Sequence, residues 1–173
     1  MDPEKCCESG CTPCERDPVG SEPRDLRNYI DGEFVCHSND QWMNLLKPAT
    51  GERFGRVPLS TQVDIDHAVS AAKKAQPSWG RLNHEERAEW LDKIADALES
   101  KYEDIAALES KDTGKPISLA RAVDAYRSVA NFRFFAGLIR ETHAGQREHF
   151  EMEDATNIVV PKPVGVGALI TPW

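Results

Sequence analysis

Four cysteines crowd into nine residues near the start of the chain, Cys6, Cys7, Cys11 and Cys14, and a fifth, Cys36, stands apart. Cys11 and Cys14 form a C-x2-C pair, a knuckle that offers two thiolates to a tetrahedral zinc ion. Cys6 and Cys7 supply two more thiols, but four ligands from nine residues is cramped, and no second knuckle lies at normal spacing. We read the cluster as a thiol-rich tail that holds no metal, and keep zinc binding as the alternative. A zinc stoichiometry near one, lost on Cys11→Ser with Cys14→Ser, would favour the alternative. The opening MDPEKCCESG lacks a basic stretch followed by an apolar core. Reduced thiols and a cytoplasmic location are therefore expected, and no disulfide framework is read.

The other chemistry-bearing residues carry little. The histidines are His37, His67, His84, His143 and His149. None stands at a spacing from Ser, Cys or a carboxylate that suggests a triad, although triad partners need not be neighbours in sequence. His67 and His84 fall on or near polar helix faces and are expected to be solvated. Gly165-Val166-Gly167 is two thirds of a dinucleotide fingerprint, but Ile170 stands where the third glycine is needed. The glycines also precede the apolar run instead of following it. The bottom-up reading is a strand entry, not a phosphate cradle. Glu85, Glu86, Glu89, Asp92, Asp96 and Glu99 recur at helical spacing and read as one wet helix face.

The elements that must position these residues begin after a polar segment. Residues 1–26, rich in Pro, Glu, Asp, Gly and Ser, have almost nothing to bury and are expected to form a disordered tail. Asp31-Gly32 between short apolar runs predicts a two-residue hairpin. A second hairpin is expected from Trp42–Leu46 and Arg53–Val57 around Lys47-Pro48-Ala49-Thr50-Gly51. Thr61 with Asp64 caps a helix whose Ile65, Ala68, Val69, Ala72 and Ala75 share a face, and Pro77 is expected to end it. Asn83 with Glu86 caps the next, with an apolar stripe of Trp90, Leu91, Ile94, Ala95 and Leu98. A third helix, about Tyr102 to Asp112, stops at Gly114 and Pro116.

The fourth and longest, Ser118 to about Ile139, carries Leu119, Ala122, Val123, Tyr126, Val129, Ala130 and Phe134, widened by Phe132 and Phe135. It is expected to be buried on more than one side. Past Gly145 the pattern turns to strands, the β-branched Thr156–Val160 and the wholly apolar Gly165–Ile170. The latter suits a parallel sheet covered on both faces. A net charge of −8, from 21 basic and 29 acidic side chains, disfavours nucleic acid. No apolar run approaches the roughly 18 residues of a membrane span. Chemistry and pattern together imply a soluble mixed domain, α/β or α+β, that is incomplete.

From Tyr29 to Trp173 the chain resembles the amino-terminal third of the aldehyde dehydrogenase superfamily. The residues that carry this are Tyr29-Ile30-Asp31-Gly32-Glu33-Phe34, Pro48-Ala49-Thr50-Gly51-Glu52, Asp66–Ala72, Glu86-Arg87-Ala88, Asp112-Thr113-Gly114-Lys115-Pro116, Pro163–Val166 and Ile170-Thr171-Pro172-Trp173. They stand in the family's order and spacing; Lys47 departs from the asparagine usual before Pro48. Asp112–Arg121 and Asn131–Phe135 are most similar to the muconic semialdehyde dehydrogenases, which oxidise 2-amino or 2-hydroxy unsaturated semialdehydes.

The resemblance implies an incomplete aldehyde dehydrogenase fold: β-hairpins, a helical segment and the first strand of a Rossmann-like cofactor domain. Residues 27–173 would be its truncated amino-terminal part. It implies oxidation of an aldehyde to an acid with NAD or NADP. In that chemistry a cysteine thiolate attacks the aldehyde, hydride passes to the nicotinamide, and a glutamate activates water to release the acid. An asparagine that steadies the oxyanion follows directly after the Ile170–Trp173 string in the family, one residue beyond the last residue here. None of the five cysteines matches the nucleophile. The expectation is a chain with no catalytic residues, inactive alone, in which Ile170, Thr171, Pro172 and Trp173 lie against the dinucleotide.

A non-catalytic role is the alternative. The segment matching His149 to Pro163 forms strands of the family's oligomerisation region, so the chain could pair with itself or with full-length subunits. A small-molecule aldehyde is the expected partner, with no nucleic acid and no membrane.

Overall fold

Asp31 and Gly32 both adopt positive φ, 53° and 87°, which makes the tight turn between two short antiparallel strands. The computed structural model describes residues 24–141, 148–152, 155–159 and 162–171. Strand β2 (Asn28–Ile30) pairs with β3 (Glu33–Val35) across that turn. Tyr29 and Phe34 face each other in register, their rings edge to face at 5.0 Å. The Asp-Gly hairpin expected from the sequence is therefore present, with an aromatic cross-strand pair to fix its register.

The second hairpin, β4 (Trp42–Leu46) with β5 (Arg53–Pro58), also forms, and Gly51 takes φ 73° in its turn. Regular structure begins earlier than the sequence suggested. Arg24–Asp25 makes a short strand, β1, parallel to β5, with Asp25 opposite Arg56. These two residues lie within the stretch expected to be disordered; a bidentate ion pair and a ladder hold them in place of apolar burial. Residues 1–23, including Cys6, Cys7, Cys11 and Cys14, fall outside the described residues.

Helix α1 (Gln62–Arg81) runs through Pro77 instead of ending there. Pro77 lacks an N–H for the Lys73 carbonyl four residues back, but both residues are exposed, so water can serve that carbonyl. The apolar face expected on α1 is largely uncovered in this chain, with Ile65 and Val69 exposed. Asp64 is instead its one buried residue.

Two compact units are present: Met1–Lys74 with Asp112–Gly114, and Ala75–Lys111 with Lys115–Trp173. In the first, Gly114 has φ 75°, and a Cβ there would lie 3.0 Å from Pro48 Cβ. Both facts require glycine at that position.

In the second unit, α2 (His84–Glu99) carries the capping box expected of Asn83 and Glu86. Helix α3 (Tyr102–Thr113) follows. The long helix expected next is interrupted: α4 (Ile117–Leu119) leads into a π-helical turn, Ala120–Ala125, and then α5 (Tyr126–Glu141). Helices α2 and α5 pack together, run antiparallel as the Arg140–Glu85 and Arg133–Glu99 pairs require, and bury Ala88 and Ala95 on α2 and Val129 and Ala136 on α5. Each pair is spaced seven residues apart, two helical turns, so alanines let the backbones approach along one seam. The second apolar side of α5 is not covered in this chain: Tyr126, Phe134 and Phe135 are exposed, with Phe134 at 63%. The expectation of burial on more than one side is corrected accordingly.

The acidic face of α2 is corrected too. Glu85 and Asp92 bond Arg140 at 2.8 Å each, and Asp96 and Glu99 bond Arg133 at 2.9 and 2.6 Å. The rim of the α2–α5 seam is thus ionic, not merely wet. Strands β6 (Glu148–Met152) and β7 (Ala155–Val159) form an antiparallel hairpin. Among the described residues the architecture is mixed helix with three small sheets.

Candidate functional site

Ile170 and Thr171 sit in the segment Lys162–Thr171; Pro172 and Trp173 lie outside the described residues. The segment starts against helix α1, where a Cβ on Gly80 would meet Pro163 Cγ at 3.5 Å. From there it forms no strand ladder, although Gly165–Ile170 reads in sequence as a buried strand. A strand is defined by a neighbour that takes its hydrogen bonds, and none stands beside it among the described residues. Leu169 and Ile170 are 95% and 90% exposed. Gly165 has φ 116°, and added Cβ atoms at Gly165 and Gly167 would meet nothing within 4 Å.

Chemically, this segment can give van der Waals surface and backbone donors and acceptors. Residues 163–171 contain no ionisable side chain. They therefore carry no carboxylate, imidazole, ammonium or thiol of their own, and Thr171 has their one side-chain hydroxyl.

Three tightly bonded groups lie elsewhere. Asp64, 8% exposed, accepts from Ser38 N (2.9 Å), Ser38 Oγ (2.9 Å), Thr61 N (2.7 Å) and Thr61 Oγ1 (3.2 Å). Burial alone would push its carboxyl up, but these four donors together hold it below the usual aspartate value. Asp64 thereby ties the loop after β3 to the first turn of α1. Sequence reasoning found Thr61 and Asp64 as a cap and missed Ser38, whose partner is 26 residues away. Lys115 bridges Asp124 at 2.8 Å and Glu109 at 2.9 Å, which keep its ammonium above the usual lysine range. These pairs hold the start of α4 and the π-helical turn to α3, a structural task.

The third is Asp25, where the Arg56 guanidinium donates through Nε at 2.8 Å and through Nη2. That bond, with attraction from Arg53 and Arg27, holds the carboxyl below its usual value. Arg56 also lies over the Trp42 ring at 4.6 Å from its centroid, and His37 packs edge-on to the same ring.

Metal and thiol chemistry find little among the described residues. No group of three or more His, Cys, Asp or Glu side chains could hold a metal ion. His67 is exposed, as expected, whereas His84 is half-buried. Cys36 is half-buried and belongs to the first unit, while the Lys162–Thr171 segment belongs to the second. No described helix is long and apolar enough to cross a membrane.

Comparison with known proteins agrees with this geometry. The model of the aldehyde dehydrogenase family matches residues 34–173. Human 2-aminomuconic semialdehyde dehydrogenase is 43% identical over 150 residues, covering 86% of this chain and 30% of that protein. The 2-hydroxymuconic semialdehyde dehydrogenase of Pseudomonas sp. strain CF600 is 35% identical over 156 residues, covering 87% and 32%. Among solved structures, a point mutant of betaine aldehyde dehydrogenase from Staphylococcus aureus, in complex with NAD+, superposes with a TM-score of 0.71. It is 31% identical and covers 80% of this chain and 28% of that one. The chain thus spans about 30% of the length of the curated relatives it matches.

Proposed function

Because the chain belongs to the aldehyde dehydrogenase family, we propose that it forms the amino-terminal part of an enzyme oxidising an aldehyde to a carboxylic acid with NAD or NADP. The observation that carries the reading is the 43% identity to a 2-aminomuconic semialdehyde dehydrogenase over 86% of the chain. The 2-hydroxymuconic relative supports the same substrate class, an unsaturated semialdehyde bearing a 2-amino or 2-hydroxy group. The NAD+ complex of a structural relative supports the cofactor. A cytoplasmic location belongs to the same proposal.

In this reading residues 27–173 are one part of the catalytic domain and residues 1–26 a thiol-bearing tail. The Gly165–Thr171 segment fits a dinucleotide wall: it is exposed, uncharged, open on the side of its two glycines, and engaged in no strand ladder among the described residues. Ile170, Thr171, Pro172 and Trp173 would line that wall by apolar contact and backbone hydrogen bonds. The dinucleotide, when bound, supplies the hydride acceptor. These residues exclude water from one side of it and orient it, but move no proton.

The test has two arms. The 173-residue polypeptide alone, mixed with NAD and any aldehyde, is expected to form no NADH; steady NADH formation would refute this part. An enzyme that joins these residues to a cysteine-bearing remainder is expected to turn over 2-aminomuconic or 2-hydroxymuconic semialdehyde faster than simple alkanals. The opposite preference would defeat the substrate assignment.

The β6–β7 hairpin favours one further reading. Among the described residues neither outer edge of this two-stranded sheet is paired, so it can accept a strand from another copy or from a full-length relative. Co-purification of the chain with such a relative would support a non-catalytic pairing role, and its absence at micromolar concentrations would count against it.

A further inference from the structure

The chain is acidic overall, yet β1 and β5 gather arginines. Arg56 sits opposite Asp25 in the β1–β5 register, Arg53 begins β5, and Arg27 lies two residues past the end of β1. The Leu26 N–H bonds the Arg56 carbonyl at 2.8 Å, which holds the stretch between Asp25 and Arg27 against β5. One carboxylate, Asp25, takes both nitrogens of the Arg56 fork. Nearby, Glu52 is in contact with Lys47 at 3.7 Å. Arg27 and Arg53 have no carboxylate within bonding distance among the described residues, unlike Arg121, Arg133 and Arg140, which each hold one or two. Counting Arg27, Lys47, Arg53 and Arg56 against Asp25 and Glu52, the patch carries two positive charges in excess.

The segment that precedes β1 in the sequence has the opposite sign. Residues 1–23 contain Asp2, Glu4, Glu8, Glu15, Asp17 and Glu22 against Lys5 and Arg16, a side-chain charge of −4. They join the fold at Arg24, the first residue of β1, beside the arginines themselves. We propose that the Arg27–Arg53–Arg56 patch docks the acidic residues 1–23 of the same chain, through Glu22, Asp17 and Glu15.

Charge and tethering select this occupant. A separate acidic protein or an anionic membrane would meet the repulsion of a chain with net charge −8. Because the segment is tethered at Arg24, it would meet the patch at an effective concentration on the order of millimolar for a short flexible link. Individually weak, exposed guanidinium–carboxylate bonds suffice under those conditions. Arginine suits the task because its planar fork engages carboxylates two nitrogens at a time.

The experiment compares the full chain with a variant carrying Glu15→Gln, Asp17→Asn and Glu22→Gln, by nitrogen–proton correlation NMR of the arginine Nε–H groups. The expected result is that Arg27 and Arg53 shift and exchange with solvent several-fold faster in the variant, while Arg121, Arg133 and Arg140 stay unmoved. In the unaltered chain the same two signals should approach their variant positions at about 1 M salt, where the screening length falls to about 3 Å. Identical Arg27 and Arg53 signals in the two proteins would overturn the proposal. So would a difference that fades on dilution, since the occupant would then be the segment of a second copy.

Discussion

Replacing Asp64 tests how much of the first unit depends on one carboxylate. Its Oδ1 accepts from Ser38 N, while Oδ2 accepts from Ser38 Oγ, Thr61 N and Thr61 Oγ1. The Asp64→Asn variant removes the charge and, even with its one acceptor oxygen in the Oδ2 position, turns an NH2 toward the Ser38 N–H. Hydrogen bonds to a charged group contribute about 1.5–3 kcal/mol each in favourable cases. Ser38 is exposed and Thr61 half-buried, so water can recover part of what their donors lose. Discounted in this way, the expected loss is about 2–3 kcal/mol, of which the helix cap alone accounts for about 1 kcal/mol.

For a chain of this size that is a fall of roughly 4–12 °C in Tm at pH 7, readable by circular dichroism. The pH dependence has a definite sign. The folded carboxyl titrates below its ordinary value of 3.8, so its contribution is complete above about pH 4. It is lost as the pH drops through the lower, folded value. The gap between the unaltered chain and Asp64→Asn should therefore be constant from pH 8 to 5 and begin to close only below about pH 4. A gap under about 0.5 kcal/mol at pH 7, the ordinary scatter of surface substitutions, would refute the reasoning. A gap that widens with acid would do the same.

Two other outcomes are expected. Gly114→Ala should lower stability by about 1–2 kcal/mol, read from the urea midpoint, because alanine must adopt a left-handed φ and its methyl presses on Pro48; an unchanged midpoint would show that the turn can relax. Arg140→Ala should lower Tm at low salt, with the loss fading at about 1 M salt, since its pairs with Glu85 and Asp92 are exposed and screened; a loss that ignores salt would assign the effect to packing of the arginine stem.

Local signals carried the local structure. Asp31-Gly32 specified its turn because few residues tolerate positive φ, and Asn83 with Glu86 specified a helix start because both partners of the capping box lie within one turn. Periodicity located α2, α3 and α5, and the strings from Tyr29 to Trp173 resembled the family whose model matches residues 34–173. Pro77 shows the limit of a local rule. A proline costs a helix one hydrogen bond, and an exposed carbonyl can have that bond replaced by water.

What sequence could not decide was every partner far along the chain. Ser38 bonds Asp64 across 26 residues, Asp25 meets Arg56 across 31, and Arg140 reaches Glu85 across 55. Such pairs depend on how helices and strands pack, which residue type and spacing do not encode. The same holds for the apolar Gly165–Ile170. Its composition established that it can be a strand, but a strand exists only beside another, and its burial is a property of neighbours. The sequence determined which elements form and what each could do; tertiary packing determined which of their faces meet, because contact free energy belongs to pairs of surfaces and not to either one alone.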